Sequence, residues 1–175
     1  MTSKFILYSS PLLLLFAGIT IMEPWLYRNL LTSDAIENIQ QKDFKIIAHK
    51  GASGIAPENT LASFQAALDI GVDIIELDVR QTKDEEIIVF HDKFLDRTTN
   101  GMGNVHEYTL EQLKQLDAGS WFSSKFSDQK IPTLKEVLDL VDGRCQVLIE
   151  IKHMDHPHYH DFADKLVDVI KLEDN

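Results

Sequence analysis

Two histidines and three carboxylates stand at the ends of short apolar runs: His49, Glu76 with Asp78, His91, and Glu150. Lys50 follows the first histidine, and Lys152 lies two positions after Glu150. Oxygen-only ligands suit a hard divalent cation, Ca2+ or Mg2+. Histidine titrates near neutral pH, so a pair can divide the tasks of accepting and donating a proton. The lysines can add positive charge around an anionic group. Taken singly, each residue has a plainer reading. A strand-end histidine is more often structural than catalytic, and a lone Glu-x-Asp is weak evidence. Taken together, they call for elements that bring them to one place.

Strand periodicity supplies those elements. Side chains alternate faces with a period of two. In Asp73–Val79, Glu76 and Asp78 share one face while Ile75, Leu77 and Val79 share the other. His91 is in phase with Ile87 and Val89, and His49 with Ile47. In Gln146–Lys152, Glu150 and Lys152 share the face of Gln146 and Leu148. Runs apolar on both faces belong in parallel sheets covered by helices. Helix signals lie between them, so βα units are the natural reading. In a (β/α)8 TIM-type barrel, polar groups at strand C-terminal ends converge on the active-site mouth.

The words HKGASGIAPENTLASF, ELDV, VFHD and LDRTTNGMG closely resemble the signature of the glycerophosphodiester phosphodiesterases, over about Ile46 to Lys152. The resemblance implies metal-dependent hydrolysis of glycerophosphodiesters to glycerol 3-phosphate and an alcohol, in lipid metabolism. It gives the acid–base roles to His49 and His91 and the metal to Glu76, Asp78 and Glu150. It also places a small inserted subdomain at about 93–130. Lys50 and Lys152 are the expected phosphate-binding cations. One departure stands out: the family usually has His-Arg-Gly where this chain has His49-Lys50-Gly51. Lysine keeps the charge but lacks the two-pronged fork that grips phosphate. Two other readings remain open: a phospholipase acting on intact lipid, and a truncated non-catalytic membrane-tethered remnant.

The net charge of −11 argues against a nucleic-acid partner. It also argues against an electrostatic grip on anionic lipid. The single cysteine, Cys145, excludes an intramolecular disulfide. Residues 5–22 carry no charge and are just long enough to span a bilayer, with Trp25 and Tyr27 following. They are expected to form a hydrophobic helix within an anchor or signal segment at 1–28. The rest of the chain would then lie outside the membrane on the extracytoplasmic side, with secretion as the alternative. Residues 29–43 read as a linker and 44–175 as the catalytic region.

Asn59 or Thr60 can cap the helix that follows them. The plainer reading of Glu58-Asn59-Thr60, a cap and loop brace, is preferred. Capping boxes open helices at Thr109 with Gln112 and at Thr133 with Glu136, and Gly143 is the expected stop of the second. Trp121, Phe122 and Phe126 can wall a pocket but read better as packing. His153, His156, His158 and His160 form a tract that usually means a solvated loop. Four strand signals are about half of the eight that close a barrel. The expectation is therefore a barrel truncated to about four βα units.

Overall fold

The structure, a computed structural model, describes residues 6–8, 44–152 and 161–172. The chain divides into two compact units. One is Met1–Ser9 with Ile46–Asn175; the other is Ser10–Lys45, of which only Phe44 and Lys45 are described. The linker 29–43, the histidine tract 153–160 and most of the run 5–22 lie outside the described residues.

A parallel sheet carries the first unit. Its strands are β1 (Ile6–Tyr8), β2 (Ile47–His49), β3 (Ile74–Gln81) and β5 (Gln146–Ile151), in the order β1-β5-β3-β2. Parallel neighbours need a crossover. Helix α1 (Leu61–Ile70) makes it from β2 to β3, and α3 (Leu134–Val141) ends the longer route from β3 to β5. Every residue of β3 is buried, as befits the central strand. Helix α4 (Phe162–Leu172) follows β5 and packs Phe162 and Leu166 into the same core.

Capping sets the helix ends. The Thr60 hydroxyl accepts from the Ser63 N–H and opens α1; Gly71, at φ 81°, closes it by donating to the carbonyls of Ala67 and Leu68. Thr133 and Glu136 form the expected box at α3, worth about 1 kcal/mol for such a cap. Asp142, in the left-handed region at φ 44°, ends α3 one residue before the expected Gly143. The short α2 (Leu110–Gln115) opens on the Thr109–Gln112 box.

Two expectations are corrected. Ile6–Tyr8 begins the run expected to be a helix, yet it is a strand paired in parallel with Leu148–Glu150. No helix among the described residues is long and apolar enough to cross a membrane. The run ending at His91 is not a parallel barrel strand either. β4 (Ile87–Val89) pairs antiparallel with Val79–Gln81, the far end of β3. Only Thr82–Glu86 connect them, far short of the dozen residues that a parallel crossover needs. Among the described residues, the parallel strands followed by helices are thus β2, β3 and β5.

β4 is also a wall between two cores. Ile87 and Val89 face the main cluster, with Phe64, Leu77, Leu134 and Ile149. Ile88 and Phe90 face a smaller cluster with Leu95, Val105, Leu113 and Ile131, built from the residues between β4 and α3.

Candidate active site

Register brings the polar strand ends together. His49 on β2 is the cross-strand partner of Glu76 on β3, and Asp78 on β3 is the partner of Glu150 on β5. One carboxylate oxygen from each of Glu76, Asp78 and Glu150 lies within 4.8 Å of the others. These are the three carboxylates expected to hold the metal. Asp78 is fully buried, whereas the Glu150 side chain is 47% exposed, so the cluster opens on the Glu150 side.

The β2–α1 loop fixes this cluster from above. Lys50 and Gly51 both take positive φ, 59° and 77°, which turns the chain sharply after β2. The turn aims the Lys50 N–H at Glu76 Oε2, 2.8 Å away. Asn59, also at positive φ, grips Asp78 with both ends of its amide. Its Nδ2 donates to Oδ2 at 2.7 Å, and its Oδ1 accepts from the Asp78 N–H at 3.4 Å. Of the triplet read as a cap, only Thr60 caps; Asn59 orients a carboxylate.

Lys152, one of the two expected phosphate-binding cations, sits beside the carboxylates. Its Nζ is 2.9 Å from Asp78 Oδ1 and 2.5 Å from Glu150 Oε1. The contact with Asp78 Oδ1 is an ion pair off the direction of a hydrogen bond, so that buried oxygen lacks an aligned donor. Burial disfavours the ammonium charge, yet the hydrogen bond to Glu150 and the ion pair with Asp78 outweigh it and hold the Lys152 pKa above normal. Burial, with Asp78 beside it, pushes the Glu76 carboxyl up to about 7. Three acidic groups that crowd and repel in this way fit a divalent cation: the donors are hard oxygens, and a cation relieves the repulsion.

The histidines stand on either side. His49 Nε2 is 3.9 Å from Glu76 Oε2, and burial and the Lys50 charge lower its pKa. Its ring is therefore neutral near pH 7 and able to take a proton. His91 follows β4, and because β4 runs back along β3, the Phe90 N–H bonds to the Asp78 carbonyl. That return brings His91 level with the carboxylates. Arg80 clamps the His91 carbonyl with Nε and Nη2, at 2.9 and 2.7 Å. His91 Nδ1 lies 2.6 Å from Asp92 Oδ1.

A run of charges, unnoticed in the sequence, ties the two loops. Arg97 donates Nε to Asp92 Oδ2 at 2.5 Å, and Nη1 and Nη2 to the two oxygens of Glu58 at 2.9 and 2.7 Å. Lys50 Nζ reaches Glu58 Oε1 at 3.2 Å. Burial would raise both carboxyls. The Arg97 hydrogen bonds prevail, aided by Lys50 at Glu58 and by His91 at Asp92, and they leave Glu58 below normal and Asp92 at about 2. In the sequence the only signal was the charge on both loops. Trp121, Phe122 and Phe126 stack edge to face at 5.7 and 5.8 Å, and the Trp121 indole N–H bonds to the Ala118 carbonyl.

Comparison with known proteins bears on this geometry. The profile of the Glycerophosphoryl diester phosphodiesterase family matches residues 49–173. A glycerophosphodiester phosphodiesterase of Caldanaerobacter subterraneus is 49% identical over 127 residues, 72% of this chain and 52% of that protein. One of Bacillus subtilis is 43% identical over 147 residues, 79% of this chain and 47% of that protein. Among solved structures, an Oleispira antarctica phosphodiesterase in complex with the product sn-glycerol-3-phosphate matches with a TM-score of 0.71 at 37% identity, covering 74% of this chain and 53% of that one. A glycerophosphodiester phosphodiesterase of Agrobacterium tumefaciens matches at 0.67 and 40%, with the same coverage. The chain spans about half the length of the curated relatives it matches.

Proposed function

The chain belongs to the glycerophosphoryl diester phosphodiesterase family, and from that premise we propose that it hydrolyses glycerophosphodiesters to glycerol 3-phosphate and an alcohol. The observation that carries the reading is the meeting of Glu76, Asp78 and Glu150 within 4.8 Å, with His49 beside Glu76 in register. Glu76, Asp78 and Glu150 would hold Ca2+ or Mg2+. Bound there, the cation supplies Lewis-acid stabilisation of charge on the phosphoryl oxygens.

The chain's own groups do the rest. His49, neutral near pH 7, takes the proton of the attacking hydroxyl or water. His91, with Asp92 on Nδ1, returns a proton to the departing alkoxide. Asn59 and the Lys50 N–H orient Asp78 and Glu76 and keep them from rotating. Lys50 and Lys152 set positive charge against the phosphate.

The test is incubation of the purified 175-residue chain with glycerophosphocholine and Ca2+ or Mg2+, with enzymatic detection of glycerol 3-phosphate. Release that stops with chelator and in Glu76→Ala is expected. Release that persists in both would refute the metal-dependent reading. No release from the folded, metal-loaded chain would refute hydrolysis by this chain.

A further inference from the structure

Glu58, Arg97 and Asp92, the charged run that ends on His91, are given no part as cation ligands or as proton carriers in the acid–base scheme. The geometry of the run is specific. The Arg97 guanidinium uses its terminal nitrogens as a fork on Glu58 and its Nε on Asp92, so one rigid plane sets two carboxylates in fixed relation. Asp92 in turn divides its oxygens: Oδ2 takes Arg97 and Oδ1 faces His91 Nδ1. The backbone at His91 is held separately by Arg80. The arrangement is poorly explained as a device for stability, because Arg97 is half-exposed and exposed ion pairs contribute little.

We propose that Arg97 and Asp92 are positioning residues that hold the His91 imidazole as its Nδ1–H tautomer, with Glu58 as the fixed anchor. A carboxylate paired with a guanidinium can only accept, so the proton between Asp92 and His91 belongs to Nδ1. Nε2 is then the basic nitrogen of the neutral ring and the proton donor of the charged one. Lysine at position 97 would keep the charge but lacks the planar fork that holds both Glu58 oxygens and Asp92 in one fixed geometry. What the ring does next rests on the phosphodiesterase reading; its tautomer does not.

The experiment reads the ring directly. Long-range proton–nitrogen NMR of the 15N-labelled full chain, above the histidine titration range, distinguishes the tautomers, and a His91→Gln spectrum assigns the signals. Wild type should show His91 with a protonated Nδ1 and a bare Nε2. Asp92→Ala should lower that preference by about tenfold, the strength expected of a charge-assisted hydrogen bond. Arg97→Ala should lower it less, and Arg97→Lys should restore part of it. The His49 signals, which report the fold nearby, should stay in place in every variant. Should Arg97→Ala unfold, Asp92→Ala decides alone. A His91 that carries its proton on Nε2 in wild type, or that keeps the Nδ1–H form undiminished in Asp92→Ala, overturns the proposal. A folded chain without turnover would still display the His91 tautomer, so failure of the enzymatic reading is seen separately.

Discussion

Glu150 and Asp78 are direct partners across the pairing of β5 with β3, and one lysine, Lys152, sits against both. A tethered ammonium thus stands where a divalent cation would stand, and binding must displace it. Lys152→Gln should tighten Ca2+ or Mg2+ binding by about tenfold, the worth of one partly buried charge contact. It should also raise KM for an anionic substrate. Calorimetric titration checks the first effect and steady-state kinetics the second. Unchanged cation affinity would show that Lys152 does not compete.

Glu76 links stability to pH in chelated protein. Its carboxyl is raised from 4.5 to about 7, so between those values the folded chain binds the proton more tightly than the unfolded one. Folding stability therefore falls as pH rises through that window, and the cost is complete above it. Glu76→Gln removes the cost. In chelator at alkaline pH the variant should be more stable by on the order of 2 kcal/mol, with little difference below the window. Its cation affinity should drop by at least about 100-fold, since loss of outer partners alone costs as much. Urea midpoints and calorimetry would read both. A variant less stable than wild type in chelator would contradict the account.

Lys50 can be improved upon. Its N–H bonds to Glu76 through the backbone, which no side-chain change removes, and its ammonium touches only one oxygen of Glu58 among the contacts described. Lys50→Arg should hold or raise kcat/KM, up to about tenfold, because a planar fork meets phosphate better than a point charge. A large loss would show a site rebuilt around lysine.

Gly51 is irreplaceable on two counts. Its φ is 77°, and an added Cβ would lie 2.5 Å from Ser63 Oγ and 2.7 Å from the Ser63 carbonyl carbon. Gly51→Ala should destabilise by about 2–4 kcal/mol, combining backbone strain with overpacking. It should also weaken cation binding, since Lys50 and Asn59 depend on that loop. A denaturation midpoint matching wild type would refute this.

The candidate ligands were legible because β-structure has a period of two, which puts Glu76 and Asp78 on one face, and because Glu150 ends an apolar run of its own; the register of β5 on β3 then brings the three together. The helix starts at Thr109 and Thr133 were legible because capping is local chemistry. Strand direction was not read from composition, since Ile87–Val89 is apolar on both faces whichever way it runs. The five residues between Gln81 and Ile87 held the answer, being too few for a crossover. Asn59 and Arg97 escaped because Asp78 and Glu58 lie 19 and 39 residues away from them; Asp92 has its partners 1 and 5 residues away, but in a loop without a period to single it out. A lone polar residue in a loop announces no such partner. The run 5–22 departs from a helix at its start, where Ile6–Tyr8 pairs with β5, because an uncharged apolar stretch is compatible with a strand as well as with a helix.

Strand β4 gives the molecule its cooperativity. Its three residues bond to β3 on one side, while Val89 bonds to Pro132 and Ile88 bridges to Thr133, and alternate side chains enter different cores. Neither core can loosen without baring the other's wall. The smaller core is thus no independent foldon, although its residues form a cluster of their own. Amide protons at Ile88 and Val89 should exchange only through global opening, at the same rate as those of central β3. Heat or denaturant should then melt both cores in a single transition.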